Sequence, residues 1–193
     1  MDIILASGSP RRKELLSQIG CSYCILVPDV DEHTDVPSHP GALVEVLSRR
    51  KAEAVHALEG DSPIIIAADT VVALDGDILG KPNDEEDAFR MLSALSGREH
   101  QVYTGFTVLQ GGRAFTAHEV TAVTFRPLRP DEIRSYIATK EPMDKAGAYG
   151  IQGIACLFVE GIDGDFFNVM GLPVCRLQQM LRSIAPEYME DTQ

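Results

Sequence analysis

The feature that most constrains this chain is the run Pro63-Ile64-Ile65-Ile66-Ala67-Ala68, which is apolar at successive rather than alternate positions. A strand apolar on both sides must be covered on both sides, so it belongs at the centre of a sheet with helices packed over each face. The run then meets Asp69-Thr70 and resumes as Val71-Val72-Ala73-Leu74. A carboxylate inside so apolar a strand is costly to desolvate unless a metal, a cation or a strong set of donors meets it. The competing reading is a capping or turn residue, but Asp-Thr running on into Val-Val-Ala-Leu is no turn. Asp69 is therefore the first candidate for chemistry, at the place where α/β sheets put their ligand crevices.

The flanking sequence supplies the helices. Asp2–Ala6 reads as a short strand that passes through Ser7-Gly8-Ser9 into a helix, with Ser9 as N-cap, Pro10 at the first position, Gly20 past the end, and Leu15, Leu16 and Ile19 facing inward. A strand at about Tyr23–Val27 and an acidic loop at 29–35 precede a long helix from Pro40 to Leu58. Its predicted buried stripe is Val44, Leu47, Ala54, Val55 and Leu58, with Glu45 and Arg49 paired on the wet face. Asp75-Gly76 predicts a hairpin returning to Gly80-Lys81-Pro82, and Asn83 is the predicted cap of a helix ending near Leu95. Two alternating strands meet at Gln110-Gly111-Gly112, and Pro130 opens another helix. Ile154–Glu160 and Phe166–Val169 are expected to pair as strands around Asp163-Gly164, before a last helix from about Leu172 to Ile184. This alternation predicts an α/β fold with a mixed central sheet flanked by helices, in two lobes with a cleft between them. At 193 residues it suits one domain spanning 1–193.

Composition excludes several function classes. A net charge of −12 argues against binding long nucleic acid, which needs a broad basic surface, but a small anion needs only a local basic pocket. No stretch of about 18 apolar residues marks a membrane span. The N-terminus is acidic before it is basic, opposite to a secretory signal, so a cytoplasmic protein is expected. Cys21 and Cys24 form one C-x-x-C, but Cys156 and Cys175 make no second pair, and the five histidines have no metal-site spacing. Neither a Walker loop nor a G-x-G-x-x-G is present.

Several segments carry cations or ligand-like groups. Ser7-Gly8-Ser9-Pro10-Arg11-Arg12 joins small residues, a helix start and two forked donors, which suits a phosphate cradle; a capped helix with solvated arginines is the other reading. Lys51 lies on the apolar stripe of the long helix, where it either snorkels outward or aims into a cleft. Lys81 follows the hairpin that carries Asp69 and so returns toward that carboxylate. Glu32, in the acidic loop, is either a solvated acid or a partner of Asp69 in holding a hard cation. The segment Asp144-Lys145-Ala146-Gly147-Ala148-Tyr149-Gly150-Ile151-Gln152-Gly153 suits a base-binding or closing loop, against the plain alternative of a flexible surface loop.

Taken in order and spacing, these motifs resemble the Maf (septum formation inhibitor) family of nucleotide pyrophosphatases. The likeness runs from Ser7-Gly8-Ser9-Pro10-Arg11-Arg12 through Lys51, Ala68-Asp69-Thr70, Lys81-Pro82 and the 144–153 segment to Gly171-Leu172-Pro173, nearly the whole chain; Met170 stands where the family suggests valine. The resemblance implies a Maf/ITPase-like fold and a hydrolase, often a homodimer, dependent on a divalent cation such as Mg2+ or Mn2+. Its substrate would be a nucleoside triphosphate, cut to the monophosphate and pyrophosphate. It implies Asp69 as the catalytic proton acceptor, and Asp69 with Glu32 as metal ligands. It places Arg11, Thr70 and Gln152 at positions linked to substrate choice, and Ser7, Arg11, Arg12, Lys51 and Lys81 around the phosphates. The form of the 144–153 segment resembles the subfamily acting on dTTP and UTP, modified pyrimidine nucleotides included, with roles in cell-division arrest and nucleotide pool sanitation. The alternative is a nucleotide-binding regulator of septum formation without turnover, for which a carboxylate beside a polyanion has little use.

Overall fold

The computed structural model describes residues 2–31 and 39–185. Seven strands build one mixed sheet in the order β2-β1-β3-β5-β6-β7, with β4 beside β3. Strand β1 (Ile3–Leu5) lies parallel between β2 (Tyr23–Ile25) and β3 (Ile64–Leu74). Strands β5 (Glu99–Gln110), β6 (Arg113–Phe125) and β7 (Val159–Asp163) continue the sheet antiparallel, and β4 (Asp77–Leu79) folds back on the far end of β3.

Strand β3 has two kinds of edge. Along one it pairs with β5 from Ile65 to Ala73. Along the other it pairs with β1 only over Ile64–Ile66 and with β4 only over Val72–Leu74. Among the described residues no strand pairs with the stretch between, residues 67 to 71, on that side, and Asp69 and Thr70 sit at its centre. Because successive side chains on a strand point to opposite faces, Asp69 and Thr70 serve different sides of the sheet.

One face is covered by α2 (Pro40–Glu59), whose Ala52 and Val55 pack with Ile4, Ala6, Ile65, Ala67 and Leu109. The other face carries the larger core, closed by α1 (Pro10–Gln18), α3 (Glu85–Leu95), α4 (Pro130–Ala138) and α6 (Val174–Ile184). Ile64, Ile65 and Ile66 are completely buried. Burying each such side chain contributes roughly 1.5–3 kcal/mol relative to exposure, so the strand leading to Asp69 is firmly fixed. Among the described residues no helix is long and apolar enough to cross a membrane.

Several local expectations change. Ile154–Phe158 form a 3-10 helix, Phe166–Met170 form the short helix α5, and the strand of this region is Val159–Asp163, paired with β6. The cause is a cap: Asp165 accepts a hydrogen bond from the Phe167 N–H at 2.7 Å, so Asp163-Gly164 joins a strand to a helix instead of turning a hairpin. The buried stripe of α2 includes Ser48 and Ala52, while Leu58 is exposed. Ser48 is tolerated inside because its hydroxyl is satisfied by Thr107 at 2.9 Å. Glu45 pairs with His118 and Arg49 with Glu53, each at 2.7 Å, in place of the predicted Glu45–Arg49 pair. Asp84, not Asn83, caps α3, accepting from the Asp87 N–H at 2.8 Å. Ser9 stands at the N-cap of α1 without a side-chain cap bond, and Ile19 is exposed. All four cysteines are free thiols.

Candidate active site

A cleft of about 660 Å³ opens at the strand-free stretch of β3, and Asp69 and Thr70 line it. Asp69 turns toward α2, where Lys51 Nζ lies 2.6 Å from Asp69 Oδ1. Both side chains are only 14% exposed, so Lys51 aims into the cleft instead of snorkelling outward. Asp69 Oδ2 makes no hydrogen bond with a described residue.

This approach depends on a residue that the sequence does not advertise. The cross-strand partner of Asp69 is Gly105. A Cβ at Gly105 would stand 2.3 Å from the carbonyl carbon and oxygen of Val44, so the backbone of α2 rests directly on β5 there. Lys51 lies seven residues further along, about 10 Å at 1.5 Å per residue. The absent side chain thus sets the height of α2 above the sheet, and with it the reach of Lys51.

On the other face, Arg12 is locked. Its Nε donates to the Gly171 carbonyl at 2.8 Å, Nη1 to Ser7 Oγ at 3.1 Å and Nη2 to Thr70 Oγ1 at 3.0 Å. Arg12 is therefore not a solvated helix arginine; it ties the first turn of the chain to β3 and to the C-terminal segment. The hydroxyls beyond it are ordered by elimination. Thr104 donates its one hydrogen to the Asn168 carbonyl at 2.9 Å, so in the 2.9 Å contact between Thr70 and Thr104 it is Thr70 that donates. Thr70 thus accepts from Arg12 and donates to Thr104. Ser7 is buried, and its oxygen accepts from both Arg12 and the Ser9 N–H at 3.3 Å. What remains on Ser7 is its hydroxyl hydrogen, a donor of the right sense for a phosphate oxygen.

The remaining sequence candidates divide. Arg11 lines the cleft and donates to the Met170 carbonyl at 3.3 Å. Lys81 lines the cleft, exposed and without a hydrogen-bond partner among the described residues. Gln152 does not line it; the side chain is exposed and donates to Glu14 on α1 at 3.3 Å. Glu32 lies outside the described residues.

The 144–153 segment is an anchored wall. Gly147 N–H donates to the Gly80 carbonyl at 3.0 Å, and the Tyr149 hydroxyl meets Nε2 of the buried His100 at 2.8 Å. Burial pushes the His100 imidazole down to about 4, offset only in part by the Arg98 backbone, and pushes the Tyr149 phenol up, so both stay uncharged near neutrality. Asp144, Lys145, Ala146 and Tyr149 all line the cleft. For Asp144, burial raises the carboxyl's affinity for a proton, but the Lys145 hydrogen bond and the charges of Lys145 and Arg11 outweigh it, and the net shift is downward. Among the described residues no group of three or more His, Cys, Asp or Glu side chains forms a metal cage. Asp69, whose Oδ2 meets no described residue, fits the way Mg2+ is usually held, through one or two carboxylates with substrate phosphates and water completing the shell.

Comparison with known proteins agrees with this arrangement. The sequence profile of the family described as Maf-like protein matches residues 2–184. A dTTP/UTP pyrophosphatase of Carboxydothermus hydrogenoformans is 54% identical over 184 residues, covering 94% of this chain and 98% of that one. A second protein of that name, from Symbiobacterium thermophilum, is 51% identical over 179 residues, 93% of this chain and 92% of its own. In fold alone, the chain is similar to the structure of a HAM1 protein from Coxiella burnetii, with a TM-score of 0.51 at 12% identity over 95% of this chain and 99% of that one. With its cleft built from the segments that suggested the likeness, and with relatives about half identical along nearly their full length, the chain belongs to the Maf family.

Proposed function

We propose that this chain is a nucleoside triphosphate pyrophosphatase that hydrolyses dTTP and UTP to the monophosphate and pyrophosphate. The observation that carries the reading is the Lys51–Asp69 pair, held at the gap in β3 inside a cleft that also presents Arg11, Lys81 and the Ser7 hydroxyl. Two unit charges 4 Å apart interact by about 4 kcal/mol at an effective dielectric near 20, so a polyanion entering such a cleft gains from each cation it meets. It offers Lys51 a stronger partner than the Asp69 carboxylate. Asp69 is then freed next to the α-phosphorus, where it accepts the proton of the attacking water. The cations around the β- and γ-phosphates stabilise the departing pyrophosphate. A bound Mg2+ or Mn2+, held through Asp69 and proposed to share Glu32 as a ligand, would polarise the phosphoryl oxygen and lower the pKa of a bound water.

The preference for dTTP and UTP rests on the names of the relatives from Carboxydothermus hydrogenoformans and Symbiobacterium thermophilum and on the form of the 144–153 segment. We place the enzyme in the cytoplasm as a homodimer, as the sequence and its resemblance imply. The alternative, a nucleotide-binding regulator without turnover, is less suited to the site, since a carboxylate beside a polyanion repels what a pure binder must hold. The test is to incubate the purified protein with a panel of triphosphates and magnesium and resolve the products by chromatography. dTTP and UTP should be consumed fastest; no turnover of any triphosphate would contradict the reading.

A further inference from the structure

We propose that Lys145 is a further catalytic residue, one that grips the departing pyrophosphate from the wall opposite Lys51. This rests on the pyrophosphatase reading above. Lys145 lines the cleft, and its side chain is only 14% exposed, whereas its ion-pair partner Asp144 is 73% exposed. Two of its three ammonium hydrogens are used, by the Glu141 carbonyl at 2.6 Å and Asp144 Oδ1 at 2.7 Å. The third meets no described residue.

The wall around it is shaped to hold the stem still. A Cβ at Gly150 would lie 2.6 Å from Lys145 Cε and 2.8 Å from Cδ, so the glycine provides the groove in which the chain lies. Glu141, whose carbonyl receives the ammonium, is itself fixed by the Tyr136 hydroxyl at 3.0 Å and the Ile154 N–H at 3.2 Å. The Gly147–Gly80 backbone bond sets this wall against the end of β4, next to Lys81. A lysine with a packed stem, one free donor and an exposed, replaceable counter-ion is poised to exchange a carboxylate for a phosphate. Arg12 commits three of its five N–H donors to Gly171, Ser7 and Thr70, and Lys145 and Lys81 bring further cations to the cleft.

In the step itself, the water oxygen bonds to the α-phosphorus, the bond to the bridging oxygen breaks, and pyrophosphate leaves with the electron pair. Lys145 moves no proton; it balances the charge gathering on the leaving group.

Calorimetric titration of the wild type, Lys145→Met and Lys140→Met with inorganic pyrophosphate in magnesium buffer, alongside UTP kinetics and thermal unfolding, tests this. Lys140 is an exposed control that removes the same charge away from the cleft. Lys145→Met should weaken pyrophosphate binding and lower kcat/KM for UTP by at least about tenfold at unchanged melting temperature, the loss expected for a hydrogen bond to a charged group, while Lys140→Met changes neither. Pyrophosphate affinity in Lys145→Met within about twofold of wild type, or an equal loss in Lys140→Met, would overturn the assignment. UTP turnover intact in Lys145→Met would sink this residue's role and leave the pyrophosphatase reading standing. A Lys145-dependent pyrophosphate site in a wild type that turns over no triphosphate would sink the pyrophosphatase reading and the catalytic role with it, leaving only the pyrophosphate contact.

Discussion

Lys51 and Asp69 meet at 2.6 Å across the space between a helix and the strand it covers, at a stretch where that strand has no neighbour on one edge among the described residues. Neither charge is well solvated, so removing Lys51 leaves the Asp69 carboxylate with a penalty that removing both avoids. Lys51→Met should therefore destabilise the fold more than the double variant Lys51→Met/Asp69→Asn, with a coupling of about 0.5–3 kcal/mol in urea unfolding. In turnover of UTP, each single variant should lose nearly all activity and the double should be little worse. Additive losses in both measurements would show that the two side chains act independently.

Gly105 controls the same contact from beneath. In Gly105→Ala the new methyl group would meet the Val44 carbonyl, and α2 must lift or tilt. Overpacking of this kind costs about 1–3 kcal/mol, and a displacement near 1 Å at Lys51 is worth roughly a hundredfold in rate. Denaturant melts and kcat/KM on the one variant check both numbers. Wild-type activity in a stable Gly105→Ala protein would show that the height of α2 does not matter to the chemistry.

His100 gives the fold a defined acid sensitivity. Its imidazole falls from an ordinary 6.5 to about 4 in the folded protein, chiefly through burial. The folded state thus resists a proton that the unfolded chain accepts, so stability is full above about pH 6.5 and is lost as the pH falls toward 4. The loss is up to about 3 kcal/mol, and below pH 4 this group contributes no further change. His100→Gln, which keeps a polar partner for Tyr149, should flatten the stability profile between pH 6.5 and 4. An unchanged slope would assign the acid sensitivity to other groups.

Base preference tests Gln152, whose side chain rests on Glu14 and not in the cleft. A glutamine amide can match one donor and one acceptor of uracil or thymine, and a mismatched base leaves polar groups unpaired at about 1–3 kcal/mol, roughly 5- to 150-fold in rate. kcat/KM for dTTP and UTP should exceed that for CTP and the purine triphosphates, and Gln152→Ala should flatten the difference. A variant that discriminates as well as the wild type would place base recognition on the residues that line the cleft instead.

How far the sequence could carry these conclusions differs from residue to residue. Strand β3 was legible because a doubly apolar run has one home in a small α/β protein, and Asp69 stood out because it breaks that run. The direction of Lys51 was not, because periodicity locates a residue on a helix face without saying what lies opposite. Gly105 was invisible: its role is a contact with a helix some sixty residues earlier, and nothing beside it in the chain marks the clash it avoids. Asp163-Gly164 misled because an acid and a glycine signal a hairpin and a helix cap equally well, and only the Asp165 cap decides between them. The locking of Arg12 was hidden for a similar reason, since its acceptors on Thr70 and Gly171 come from distant parts of the chain.

The central claim is that water attacks the α-phosphorus beside Asp69 and expels pyrophosphate. The most direct measurement is hydrolysis of UTP with magnesium in water enriched in oxygen-18, with every phosphorus-containing product identified by mass spectrometry. The account predicts UMP and pyrophosphate in equal amounts, with the heavy oxygen in UMP and none in pyrophosphate, and no reaction in Asp69→Asn. Accumulation of UDP with labelled phosphate, or label in pyrophosphate, would contradict it.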